Sequence, residues 1–109
     1  MHVIDSVDTE VAWFEGNRAG DTGAYIGVRH WPASATENAR SGIKFQSKDD
    51  GGVLTNYATI LMRVDDFTGG TEDGTLRFEV MADGTSTEMG RFYSAGFRVE
   101  DSKYLAAGT

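Results

Sequence analysis

Apolar and polar positions alternate most regularly over residues 74–84, between two Gly-containing turns. Leu76, Phe78, Val80 and Ala82 interleave there with Arg77, Glu79, Met81 and Asp83. Successive side chains of a strand point to opposite sides, so a period of two predicts a strand with one buried face. The same phrase stands earlier in the chain. Ile43-Lys44-Phe45 followed by Asp50-Gly51 matches Leu76-Arg77-Phe78 followed by Asp83-Gly84, both pairs lying 33 residues apart. A repeated strand-and-turn unit points to assembly rather than to catalysis.

The pattern along the rest of the chain is also that of short strands. Residues 1–10 are weakly patterned and read as a leader or connection, and 11–15, with Trp13 and Phe14, as a short strand. A loop is predicted at 17–23. Residues 24–31 are predicted as a strand with Ile26 and Val28 on one face and Tyr25, Arg29 and Trp31 on the other, ended by Pro32, which cannot donate to a ladder. A polar loop follows to residue 41. Strands are then predicted at 42–48, at 53–66 with Ile60, Met62 and Val64 sharing a face, around Leu76, at 87–93 and at 97–99. Asp49-Asp50-Gly51-Gly52, Asp83-Gly84 and Ser94-Ala95-Gly96 are the turns between them, and residues 65–73 form a Gly- and Asp-rich loop. No stretch holds a helical period. The tail to Thr109 carries no closing element, as though the fold passes to a neighbour.

These elements predict an all-β chain. Its antiparallel hairpins would form a small sandwich or a fibre-like segment over residues 1–109. Within it, 11–41 holds less typical strands and loops, 42–100 the repeated hairpin module, and 101–109 a tail.

Composition narrows the function classes. Cysteine is absent from the 109 residues, which excludes disulfides, thiolate metal sites and thiol nucleophiles. The net charge is −7, and the ten Lys and Arg stand singly. No basic face is available to neutralise phosphates, so nucleic acid is not expected as a partner. No apolar run reaches the roughly 18 residues of a membrane span, and no signal peptide is recognised, so a soluble chain without membrane insertion is expected.

The string from Ala58-Thr59-Ile60 through Asp65-Asp66-Phe67-Thr68-Gly69-Gly70-Thr71-Glu72-Asp73-Gly74-Thr75-Leu76-Arg77-Phe78 to Gly96-Phe97-Arg98-Val99 resembles a module of tail-fibre and other virion proteins of tailed bacteriophages. The likeness covers roughly residues 42–100. It implies a β-rich fibre segment of the virion, usually a homotrimer in which neighbouring chains complete one another's cores. It also implies other virion proteins as partners and no catalytic residues.

Four sets of residues are candidates for a role. Asp65, Asp66, Glu72 and Asp73 bracket a Gly-rich loop of the kind that holds Ca²⁺, but Asp before Gly is ordinary turn chemistry, and the spacing is not that of an EF-hand. As a carboxylate pair for glycan cleavage they lack any cleft that the sequence reveals. His2 and His30 are too few for a metal cluster or a triad, and no cofactor or metal is expected. Tyr25, Arg29 and Trp31 would suit glycan or receptor contact, against the reading that large aromatics are simply core. The apolar set Ile43, Phe45, Ile60, Met62, Val64, Leu76, Phe78, Val80, Phe92, Phe97 and Val99 forms the predicted assembly core.

The expectation is therefore a non-catalytic virion structural protein, a tail-fibre or spike segment for assembly and host attachment. A capsid decoration protein and a carbohydrate-binding β-sandwich module are the alternatives.

Overall fold

The computed structural model describes residues 25–100 together with Glu15, Gly20 and Lys103. The predicted strand at 11–15, the loop at 17–23 and the tail lie largely outside the described residues. Five strands follow in chain order: β1 (Arg40–Lys48), β2 (Leu54–Asp66), β3 (Asp73–Ala82), β4 (Thr85–Tyr93) and β5 (Gly96–Val99). They form one antiparallel sheet in the order β1-β2-β3-β4-β5, an up-and-down meander with no helix among the described residues. The chain is all-β, and its described residues build a single layer.

Local chemistry explains the turns. Asp83 and Gly84 both take positive φ, 46° and 76°, the requirement of a two-residue type I′ hairpin between Ala82 and Thr85. The β1–β2 turn is longer than the other. Its closure rests on Asp49, whose carboxylate accepts the Val53 amide at 2.8 Å while its backbone amide donates to Val53 O at 3.0 Å.

Register then decides which residues share a face. Ile43, Ile60, Phe78, Gly90 and Val99 stand in one row across the sheet, and Met62, Leu76, Phe92 and Phe97 in the next. Phe45 and Val80 flank Ala58 in a third, and Val64 follows Met62 by two along β2. All eleven residues of the predicted assembly core thus project from one side. Bulges at Tyr57, Asp65 and Met89 adjust the pairing without flipping this face.

Residues 24–31 were predicted as a strand, and the structure corrects this: 25–31 is not in a ladder, and the first described backbone bond to the sheet comes at Asn38, whose amide donates to Val64 O. The alternation there is real, but among the described residues no strand pairs with the segment. The next loop also ends sooner, because Val64 and Ala39 continue the ladder and β1 starts at Arg40.

Very little of the sheet is buried. Leu61 at 8 % and Thr75 at 2 % exposure are the most enclosed of the larger side chains. Leu61 lies on the side away from the apolar set, with Gly42 directly across from it. A Cβ on Gly42 would come within 2.3 Å of Ile60 O and 2.8 Å of Leu61 Cα, both backbone atoms. Gly42→Ala is expected to destabilise the fold by about 1–3 kcal/mol through overpacking, read as a lower urea midpoint at unchanged slope.

Candidate functional site

The two sides of the sheet have opposite chemistry. On the apolar side, Ile43, Phe45, Leu76, Val80, Phe92 and Phe97 are 38–50 % exposed, and Ile60, Met62, Val64, Phe78 and Val99 are half-buried. Three aromatic rings form a continuous strip. Phe92 meets Phe78 edge-on at 6.1 Å between centroids and Phe97 at 4.7 Å, and the Phe97 ring lies over Gly90. A sheet with one apolar face ordinarily buries it against a second layer about 10 Å away. Among the described residues the only cover is at one end, where the segment 32–39 packs toward Met62, Val64 and Phe67.

The other side carries a charged ladder. Arg77, Arg91 and Arg98 stand in register across β3, β4 and β5, and Glu79 stands opposite Glu88. Like charges directly across a sheet repel. The arrangement is rescued by pairs along each strand and on the diagonals. Arg77 Nη2 reaches Glu79 at 2.9 Å and its Nε reaches Glu88 at 2.6 Å; Arg91 pairs with Glu88 and, at 3.2 Å, with Glu100; Arg98 pairs with Glu100 at 3.1 Å. The Arg77 Nε–Glu88 contact is a charge pairing without hydrogen-bond alignment, since both atoms lack a directed partner. Burial opposes the charge on Glu88. The hydrogen bond from Arg91, aided by the Arg77 guanidinium, outweighs it and holds the carboxyl below its ordinary value. Single scattered cations in the sequence gave no hint of this ladder, which exists only once three strands are aligned.

The acidic loop is self-satisfied. Asp66 accepts the Thr68 amide at 2.8 Å and the Thr71 hydroxyl at 3.1 Å, and Glu72 accepts the Gly70 amide at 3.0 Å. The Thr68 amide foremost holds the Asp66 carboxyl below its usual range. Asp65 turns the other way, to the Thr75 hydroxyl and to Arg63, and the Thr75 bond is the main cause of its lowered pKa. The carboxylates of Asp65, Asp66 and Glu72 therefore close the loop and pair along the strand. Among the described residues, no three His, Asp or Glu side chains converge as metal ligands.

Tyr25 and Trp31 are 87 % and 85 % exposed, so the described structure does not use them as core. The Arg29 guanidinium lies 5.9 Å from the centre of the Trp31 ring, within cation–π range. His30 turns instead toward the covered end of the apolar face, beside Met62 and Val64.

Comparison with protein families, curated proteins and solved structures finds no match for this chain.

Glu88→Gln is expected to lower stability by about 1–2 kcal/mol at neutral pH, as two guanidiniums lose a shared carboxylate. Because the folded pKa of Glu88 is depressed, its contribution is complete above the ordinary glutamate value of 4.5 and is lost as pH falls through the lower folded value. Urea melts from pH 7 to 3 should show the wild type and the variant converging at the acid end.

Proposed function

We propose that this chain is a non-catalytic virion structural protein, a tail-fibre or spike segment that assembles as a homotrimer and takes part in host-surface attachment. One observation carries the assembly part of this reading. Eleven apolar residues project from one side of a single-layer sheet, and six of them are more than a third exposed. A contiguous apolar patch of this kind on a small domain marks an interaction surface. Symmetric self-association covers it with the same chemistry from each copy and closes on itself rather than running on. Three such faces turned to a common axis make the interior of a stiff, Cys-free rod.

The virion setting rests on the resemblance of the sequence over residues 42–100 to tail-fibre modules. Other virion proteins are then the neighbours along the fibre. A capsid decoration protein would use the same face for the same physical reason.

A second reading has its own support. Trp31, Tyr25 and Arg29 present an exposed aromatic and cationic platform, which suits stacking against a glycan of the host surface.

Light scattering on a size-exclusion column, over a dilution series, tests the assembly. The intact chain should run as a trimer. Phe92→Glu, placed at the middle of the aromatic strip, should shift it to monomer by weakening association at least about a hundredfold, equivalent to about 3 kcal/mol. The site is half-exposed in a single copy, so the variant sheet should still fold. An intact chain that stays monomeric and folded at all concentrations would overturn the reading. Glycan contact predicts separately that weak retention on immobilised sugars is lost in Trp31→Ala.

A further inference from the structure

We propose that the free edge of β1 is a docking site for this chain's own acidic segment 7–13, which pairs there as a sixth strand. The inference stands apart from how the apolar face is covered.

The edge is open, and the backbone groups it offers can be named. Residues of an antiparallel pair alternate between those that exchange backbone bonds with the partner and those that turn them away. Just beyond the two ends of β1, the Val64 amide donates to Ala39 O at 2.9 Å and the Asp49 amide to Val53 O at 3.0 Å. The bulge at Tyr57 lies on β2 and leaves the alternation along β1 intact. Odd-numbered residues of β1 therefore turn their backbone to β2, and Arg40, Gly42, Lys44, Gln46 and Lys48 turn theirs to the free edge. β1 contains no proline, and all of its residues but Ser41 are exposed. Such an edge is a template for another strand.

The same residues set the chemistry of the occupant. Their side chains lie on the side away from Ile43 and Phe45. Among the described residues Arg40, Lys44 and Lys48 form no ion pair, whereas Arg63, Arg77, Arg91 and Arg98 each have a carboxylate. Between Arg40 and Lys44, Gly42 leaves an open groove of about 230 Å³ that Leu61 and Thr59 also line and no carboxylate does. Cations along an edge repel a second β1 and favour a strand of opposite charge.

Residues 7–13 lie outside the described residues, and their sequence has that charge and the matching alternation. Before Arg18 the chain carries Asp5, Asp8, Glu10 and Glu15 and no Lys or Arg. In a strand, Asp8 and Glu10 take one side, and Val7, Val11 and Trp13 the other. Paired to β1, the carboxylates meet its cations directly or diagonally. The apolar side then extends the face of Ile43 and Phe45. Reach is sufficient. His30 and Ala39 line one groove, next to the start of β1 at Arg40. From His30 back to Trp13 the chain spans up to roughly 55 Å, against roughly 30 Å for the whole of β1.

Amide hydrogen exchange on the full chain tests the pairing. The outward amides of Gly42, Lys44 and Gln46 should exchange at least about tenfold more slowly in the intact chain than in Asp8→Lys combined with Glu10→Lys. The Ile43 amide, turned to β2, should stay protected in both, which shows that the sheet is folded. Adding Lys44→Glu and Lys48→Glu to that variant should restore slow exchange, because the charges are then swapped across the pair. Outward amides that exchange at equal rates in the intact chain and the charge-reversed variant would overturn the proposal. Protection that vanishes on dilution would also overturn it, by assigning the edge to a second copy. Neither outcome touches the apolar face, whose covering is read separately by light scattering.

Discussion

The structure depends on an antiparallel sheet that turns its eleven predicted core residues to one side and its paired arginines and glutamates to the other, without a second layer over the apolar side among the described residues. Every other feature answers to that constraint. Turning the apolar residues to one face concentrates the hydrophobic driving force there. It also forces the charged residues together on the opposite face, where they must be paired in a small space. The ladder of Arg77, Glu79, Glu88, Arg91, Arg98 and Glu100 is the second half of the same arrangement.

That ladder shows how a single irregularity shapes energetics. The bulge at Met89 sets Glu88 opposite Glu79, while Arg91 remains opposite Arg77. Like charges then face each other, and they are relieved by pairs along each strand and by the cross-strand diagonals Arg77–Glu88 and Arg91–Glu100. Glu88 serves both Arg77 and Arg91, so it is the member on which the group turns. Away from β1, paired charges and a hydroxyl-capped Asp65 give this side a closed chemistry with little left to offer a partner. The apolar side is the reverse: its aromatic strip is packed within itself yet still open to solvent.

Strand patterning was legible from the chain alone where it was strong. The alternation at Leu76, Phe78 and Val80, the Asp83-Gly84 turn and the long run ending at Val64 all correspond to observed elements within a few residues. The set of eleven apolar residues shares one face, as an alternating pattern with a buried side requires. Residues 25–31 show the limit of such reading. Ile26 and Val28 alternate with Tyr25 and Arg29 as a strand would, but alternation describes a preference for two-sidedness and says nothing about whether a neighbour is within reach. The aromatic residues there were weighed as core, yet Trp31 stands in solvent beside Arg29.

The sequence by itself determined what is local: where strands run, where the chain turns with positive φ at Asp83 and Gly84, and which side of each strand is apolar. Tertiary structure decided what stands beside what. A strand carries no mark of its offset against the next, and one extra residue at a bulge changes every pairing beyond it. So the row of Phe78 beside Ile60, the diagonal pair of Arg77 with Glu88, the glycine at position 42 pressed against β2 and the exclusion of residues 25–31 from the ladder emerge only from the assembled sheet. Cross-strand contact is a property of register, and register is settled by the whole sheet at once.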